Sequence, residues 1–183
     1  MSGWRRLTVP LAAAAALGYL AAMAVTGAMP VQRQFVPFEA RGVLKIPPER
    51  IRRVEMDRGA EHVALVRTGE KSWSTAGGAD IGTDPGSRVS MAVQMMHTSA
   101  PSREMTPGEL AGTDPAAFEL DPPRILARLY DDVGRLVLTA RFGGANADGF
   151  FQYMRLDGDG RLYLISRFVG AEWADAMDGS VRP

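Results

Sequence analysis

The chain has 183 residues, with 21 Lys plus Arg against 21 Asp plus Glu, no cysteine and two histidines. That balance supplies no overall field for nucleic acid, so no nucleic-acid partner is expected. The missing thiols exclude disulfides, thiolate metal sites, thiol nucleophiles and acylation at cysteine, and His62 and His97 alone leave little scope for zinc.

Residues 1–30 read as a short cytoplasmic stub and a transmembrane helix. No charged residue stands between Leu7 and Gln32. Leu7 to Met29 would make a helix of about 34 Å at the usual rise per residue, and a bilayer core takes about 20 apolar residues. Arg5 and Arg6 keep the preceding end in the cytoplasm by the positive-inside rule. The rest then lies on the periplasmic or lumenal side of a bacterial inner membrane or a derived internal membrane. A cleavable signal peptide is the competing reading, because Thr26-Gly27-Ala28 offers a small-residue cleavage site. Either reading exports the remainder.

Residues 31–48, with Pro37, Pro47 and Pro48, read as an extended tether carrying a first edge element around Val43 to Ile46. A globular domain is expected over 49–178, followed by a tail over 179–183. Ile51 to Asp57 reads as a strand ending at the turn signal Arg58-Gly59. His62 to Thr68 reads as a second strand, with Val63, Leu65 and Arg67 on one face and Ala64 and Val66 on the other. Thr68 to Lys71 then turns the chain into a short strand at Ser72-Trp73-Ser74. Thr83 or Asp84, followed by Pro85, opens a helix whose Val89, Ala92, Val93 and Met96 fall on one stripe, widened by Met91 and Met95. Pro101 ends it, and Ser102 to Met105 is expected to pair with the sheet.

Thr106-Pro107-Gly108-Glu109 has capping-box spacing for a short helix. Asp114-Pro115 opens another single turn through Phe118 and Leu120. Strands are then expected at 124–130, 135–142, 150–156 and 161–166, with a looser turn over 143–149. A last helix covers about Val169 to Met177, with Trp173 inward. The whole is an α+β fold: a transmembrane helix, then an antiparallel-sheet domain with two meander-plus-helix halves.

Phe118-Glu119-Leu120-Asp121-Pro122-Pro123, followed by paired strands, Tyr153 and Leu162-Tyr163-Leu164-Ile165, resembles an uncharacterised bacterial domain family. Its members are membrane-anchored and often encoded beside ABC transporters of the gliding-motility type. The resemblance spans about residues 48–177. Where this chain has Glu119, the family carries glycine. The family has no accepted catalytic residues, so the resemblance implies a membrane partner and no active site.

Few residues suggest chemistry. Asp157-Gly158-Asp159-Gly160 resembles the start of a calcium loop, but Arg161 to Leu164 supply no further carboxylate, so a hairpin turn is expected. His97 beside Ser99 lacks a nucleophile elbow and reads as a histidine in a last helical turn. Met91 and Met95, with Met96 and Met105, read as core filling or an interaction surface rather than a soft-metal site. Arg50, Arg52 and Arg53 cluster beside the tether, interleaved with Glu49, Glu55 and Asp57. The expectation is therefore a non-enzymatic accessory, scaffold or assembly protein of a membrane complex, with no cofactor. Its candidate interaction residues are Met91, Met95, Arg50, Arg52 and Arg53. The alternative is a periplasmic module delivering a small molecule or metal to a membrane machine.

Overall fold

The computed structural model describes residues 4–26 and 39–181. The chain divides into two compact units, Met1–Phe38 and Glu39–Pro183. The first holds helix α1, Trp4–Thr26, whose stretch Thr8–Thr26 has a mean hydropathy of 1.8, long and apolar enough to cross a membrane. Val9, Leu11, Leu17 and Val25 are exposed along it. Residues 27–38, which include most of the expected cleavage run and the first part of the expected tether, lie outside the described residues.

The second unit is α+β. Strands β1 (Arg53–Arg58), β2 (Glu61–Arg67) and β3 (Trp73–Thr75) precede helix α2 (Thr83–Thr98) and strand β4 (Arg103–Met105). Strands β5 (Ile125–Tyr130), β6 (Leu136–Ala145), β7 (Phe151–Leu156) and β8 (Leu162–Ser166) lead into helix α3 (Arg167–Val181). All eight strands form one antiparallel sheet in the order β3-β2-β1-β5-β6-β7-β8-β4. Val54 sits in register between Leu65 and Leu129, and Met56 between Val63 and Ala127. Alternation then sends this apolar row to one face. There α2 and α3 pack against each other and supply Val89, Ala92, Val93, Met96, Val169, Trp173 and Met177 to a single core. Trp173 is fully buried, its ring 6.0 Å from that of Phe142.

The other face carries a smaller cluster, Phe118, Leu120 and Leu162, packed by Met105, Leu110 and Tyr153. Residues 106–123 cover that part of the sheet. Thr106 and Glu109 do exchange the expected capping bonds, but they close an isolated turn, Leu110 N to Thr106 O at 3.2 Å, rather than a helix. Asp114 accepts from Ala116 N at 2.9 Å and opens the tight turn Pro115–Phe118, as its position suggests.

Three boundaries differ from the sequence reading, each for a physical reason. Val43 to Ile46 is no strand. Gly42 N and Leu44 N donate to His97 O and Met96 O, both at 2.8 Å, satisfying carbonyls that the end of α2 leaves without partners. Gly42 is needed there, since a Cβ would lie 2.2 Å from Met96 O. Gly143 and Gly144 are not a turn but the continuation of β6 to Ala145. A Cβ at Gly143 would meet Phe118 O at 2.1 Å, and one at Gly144 would meet Glu119 Oε1 at 2.9 Å. Finally, α3 runs on through the expected tail to Val181, with Ser180 Oγ donating to Ala176 O.

Candidate functional site

Arg67 alternates in step with Val63 and Leu65, and it therefore points to the helix-covered side of the sheet at the end of β2. A cation on that face needs special surroundings. Its guanidinium lies over the fully buried Trp73 ring, 4.6 Å from the centroid, a favourable cation–π arrangement. Nη1 donates to Glu70 O at 3.0 Å and Nη2 to Pro48 O at 3.3 Å, whereas Nε is buried without a partner. Among the described residues no carboxylate lies within ion-pair distance of it. Burial, and then the like charge of Arg52, lower its pKa, with Glu49 and Glu70 opposing them. A guanidinium keeps its charge under such shifts.

This cation lines a cleft of about 290 Å³ between α2, the turn after β2 and the tight turn Pro48–Arg50. Gly86 sets the approach of α2, because a Cβ there would lie 2.6 Å from Lys71 O. That approach brings Ser90 to Trp73, whose indole N–H donates to Ser90 Oγ at 2.9 Å. The next residue, Met91, also lines the cleft and is 48 % exposed.

The expected residues divide around this cleft. Met91 lines it, and Arg52 is close enough to perturb Arg67. Met95 packs instead against the core. Met96 lies in the main core and Met105 in the smaller cluster, so the four methionines do not converge. Arg50 turns away to Asp132 at 3.0 Å. Arg53 lies on the opposite face, bonded to Glu55 and 5.1 Å from the Tyr130 ring centroid. Arg67 was legible as a strand residue, and its alternation with two buried aliphatics was the signal of an inward-facing cation.

The uncovered part of the second sheet face is a polar network. Buried Glu55 accepts from Tyr130 Oη at 2.8 Å, and Arg128 reaches Asp57 at 2.6 Å. Burial raises the Asp57 carboxyl, but hydrogen bonds from His62 and Arg128 together outweigh it and its pKa is lowered. Arg141 grips Asp157 at 2.7 and 3.3 Å. Asp159 is held by Arg161 and by Tyr163 Oη at 2.5 Å. Both carboxylates of the Asp-Gly-Asp-Gly turn are thus committed to protein donors, and among the described residues no group of three or more His, Asp or Glu is placed to hold a metal ion. His97 Nδ1 lies 2.9 Å from Leu44 O, in the contact that ties the segment before β1 to α2.

No protein-family model, curated protein or solved structure matches the chain. The Arg67 cleft offers a half-buried cation with no carboxylate at ion-pair distance among the described residues, an aromatic platform beneath it and an exposed thioether beside it.

Proposed function

We propose that the chain is a membrane-tethered accessory or scaffold protein of a bacterial membrane complex, acting through contacts of its 39–181 domain rather than by catalysis. The observation that carries this reading is Arg67, a half-buried cation with no carboxylate at ion-pair distance among the described residues, open to a cleft that Glu49, Glu70 and Lys71 also line and whose rim bears Met91. Such a site fits a carboxylate-bearing segment of a partner, with the guanidinium fork as the polar anchor and the methionine as an adaptable apolar contact. At about 290 Å³ the cleft falls at the lower limit for small-molecule pockets, about 300–1,000 Å³. That favours a peptide segment over a delivered ligand.

Helix α1 supports the tether, and Arg5 and Arg6 support a periplasmic or lumenal domain. Kinship with the membrane-anchored family encoded beside gliding-type ABC transporters is supported by Glu119. This residue adopts φ 51° at the position where the family carries glycine. Within this reading β1–β3 with α2, and β5–β8 with α3, are the two meander-plus-helix halves, and the partner is an ABC-type transporter.

The test is purification of the full chain in mild detergent, with partners identified by mass spectrometry. A membrane-protein partner should copurify, and Arg67→Gln and Met91→Ser should each deplete it. A chain that elutes alone under every condition overturns the reading. An intact Met1 terminus on the extracted protein supports the anchor, whereas a new terminus at Met29 replaces it with a cleaved signal.

A further inference from the structure

The turn between β6 and β7 is held firmly. Asn146 N donates to Phe151 O at 2.9 Å, Phe151 N donates to Asn146 Oδ1 at 3.0 Å, and Gly149 supplies the positive φ of 73°. Phe151 starts β7 half-buried, so Phe150 before it must face outward, and it is 74 % exposed. Its carbonyl accepts from Arg167 N at 3.1 Å, which sets the first turn of α3 beside it. There Phe168 is 77 % exposed. Two phenylalanines fixed on neighbouring backbone, both presented to solvent, have no role in the core.

Beside them is a cleft of about 290 Å³ with Arg58, Arg124 and Arg167 on its walls and Ala145, Ala171 and Ala174 along its floor. No acidic residue lines it. Arg58 is shared between Glu61 and Asp178, and Arg124 is paired with Glu119. Among the described residues the Arg167 guanidinium bonds only the carbonyl of Gly149, at 3.4 Å. The three arginines come from positions far apart in the chain, at the end of β1, before β5 and at the start of α3.

We propose that this end of the domain rests on an anionic membrane surface. Phe150 and Phe168 enter the interfacial layer while Arg167, backed by Arg58 and Arg124, takes lipid phosphate. The phenylalanines stand outside the cleft, on a turn and a helix start, rather than lining it. That convex presentation suits insertion into lipid better than capture of a peptide. Apolar side chains such as phenylalanine bury at the headgroup–acyl boundary when basic residues flank them, and guanidinium forks match phosphate. The inference rests on the membrane location proposed above.

Because the chain lacks cysteine, single spin labels can be placed cleanly on the full protein. It would be reconstituted in nanodiscs of phosphatidylcholine alone and of phosphatidylcholine with phosphatidylglycerol. A label at Ala147→Cys should be shielded from a water-soluble nickel relaxant in the anionic discs only. A label at Val133→Cys, in the β5–β6 turn, should stay aqueous in both. Phe150→Ser with Phe168→Ser should abolish the shielding, and Arg167→Gln should weaken it about fivefold. An Ala147 label equally aqueous in both lipids overturns the proposal. One shielded only in native membrane vesicles overturns it in favour of a protein partner. A label at Ala14→Cys reports separately on the anchor. If it is not lipid-immersed, the anchor reading fails, and the Ala147 label on anionic vesicles still decides the present one.

Discussion

The indole N–H of Trp73 donates to Ser90 Oγ at 2.9 Å, and this one bond joins β3 to α2 beneath the Arg67 guanidinium. The other fully buried tryptophan, Trp173, has an indole N–H with no partner. Ser90→Ala would put Trp73 in that same state. It should cost about 1–3 kcal/mol, the penalty for a buried donor left unsatisfied. Trp73→Phe in the Ser90→Ala background should cost less than it does alone. Urea unfolding of the four variants measures the coupling, and strictly additive values would refute it.

A second test concerns Gly143. Gly143→Ala pushes a methyl into Phe118 O, a backbone atom that cannot rotate away. Lifting the 118–120 segment should cost at least about 1–3 kcal/mol, as overpacking does. Gly77→Ala, with ample space and no positive φ, should be neutral by comparison. Equal denaturation midpoints for the two variants would show that the segment is not packed on β6.

How far the sequence carried is plain at these positions. Trp173, placed inward from helical spacing alone, is fully buried, and β5 through β8 lie within a residue or two of their expected starts. Local periodicity reports which face a residue takes. It says nothing about which strand lies alongside, so the pairings of β1 with β5 and of β4 with β8 were not legible. Gly143-Gly144 misled because glycine signals a turn and a close backbone approach equally well. The clefts were illegible for the same reason as the strand order. Arg58, Arg124 and Arg167 meet only once the sheet has formed.

Asp131 is one contributor expected on the acid limb of stability. Burial raises its pKa, but the N–H groups of Arg135 and Val133 and the Arg135 guanidinium outweigh that, and the carboxyl lies below its usual value. A group depressed in the folded state contributes stability that is complete above about pH 5 and is lost as the pH falls through its native pKa. Asp131→Asn should lower the melting temperature at pH 7 and narrow its gap to the wild type as the pH approaches 3. A gap constant across that range would exclude Asp131 as the source.

At the alkaline end Tyr163 plays the corresponding part. Burial, and then its bond to Asp159, push the phenol from 10.0 up to about 12. Its contribution is present below pH 10.0 and declines as the pH rises towards about 12, because the unfolded chain loses the proton first. Tyr163→Phe should flatten the fall in melting temperature across that window. Identical slopes would mean that other groups carry it.

Arg50 and Arg67 should separate in a binding measurement. Arg50 pairs with Asp132 at the surface, where a single ion pair contributes little and salt screens it. Arg50→Gln should leave copurification of the proposed membrane partner intact, while Arg67→Gln should reduce it with the fold preserved by circular dichroism. Equal losses would move the contact away from the Arg67 cleft.

The two strands that close the sheet, β3 and β4, are three residues each. A long bare edge would be a template on which another chain could add a strand, and brevity denies it that foothold. The protection matters more for molecules confined to a plane, where neighbouring copies meet far more often than they would free in solution. An edge this short lets such domains crowd side by side without zipping into fibres.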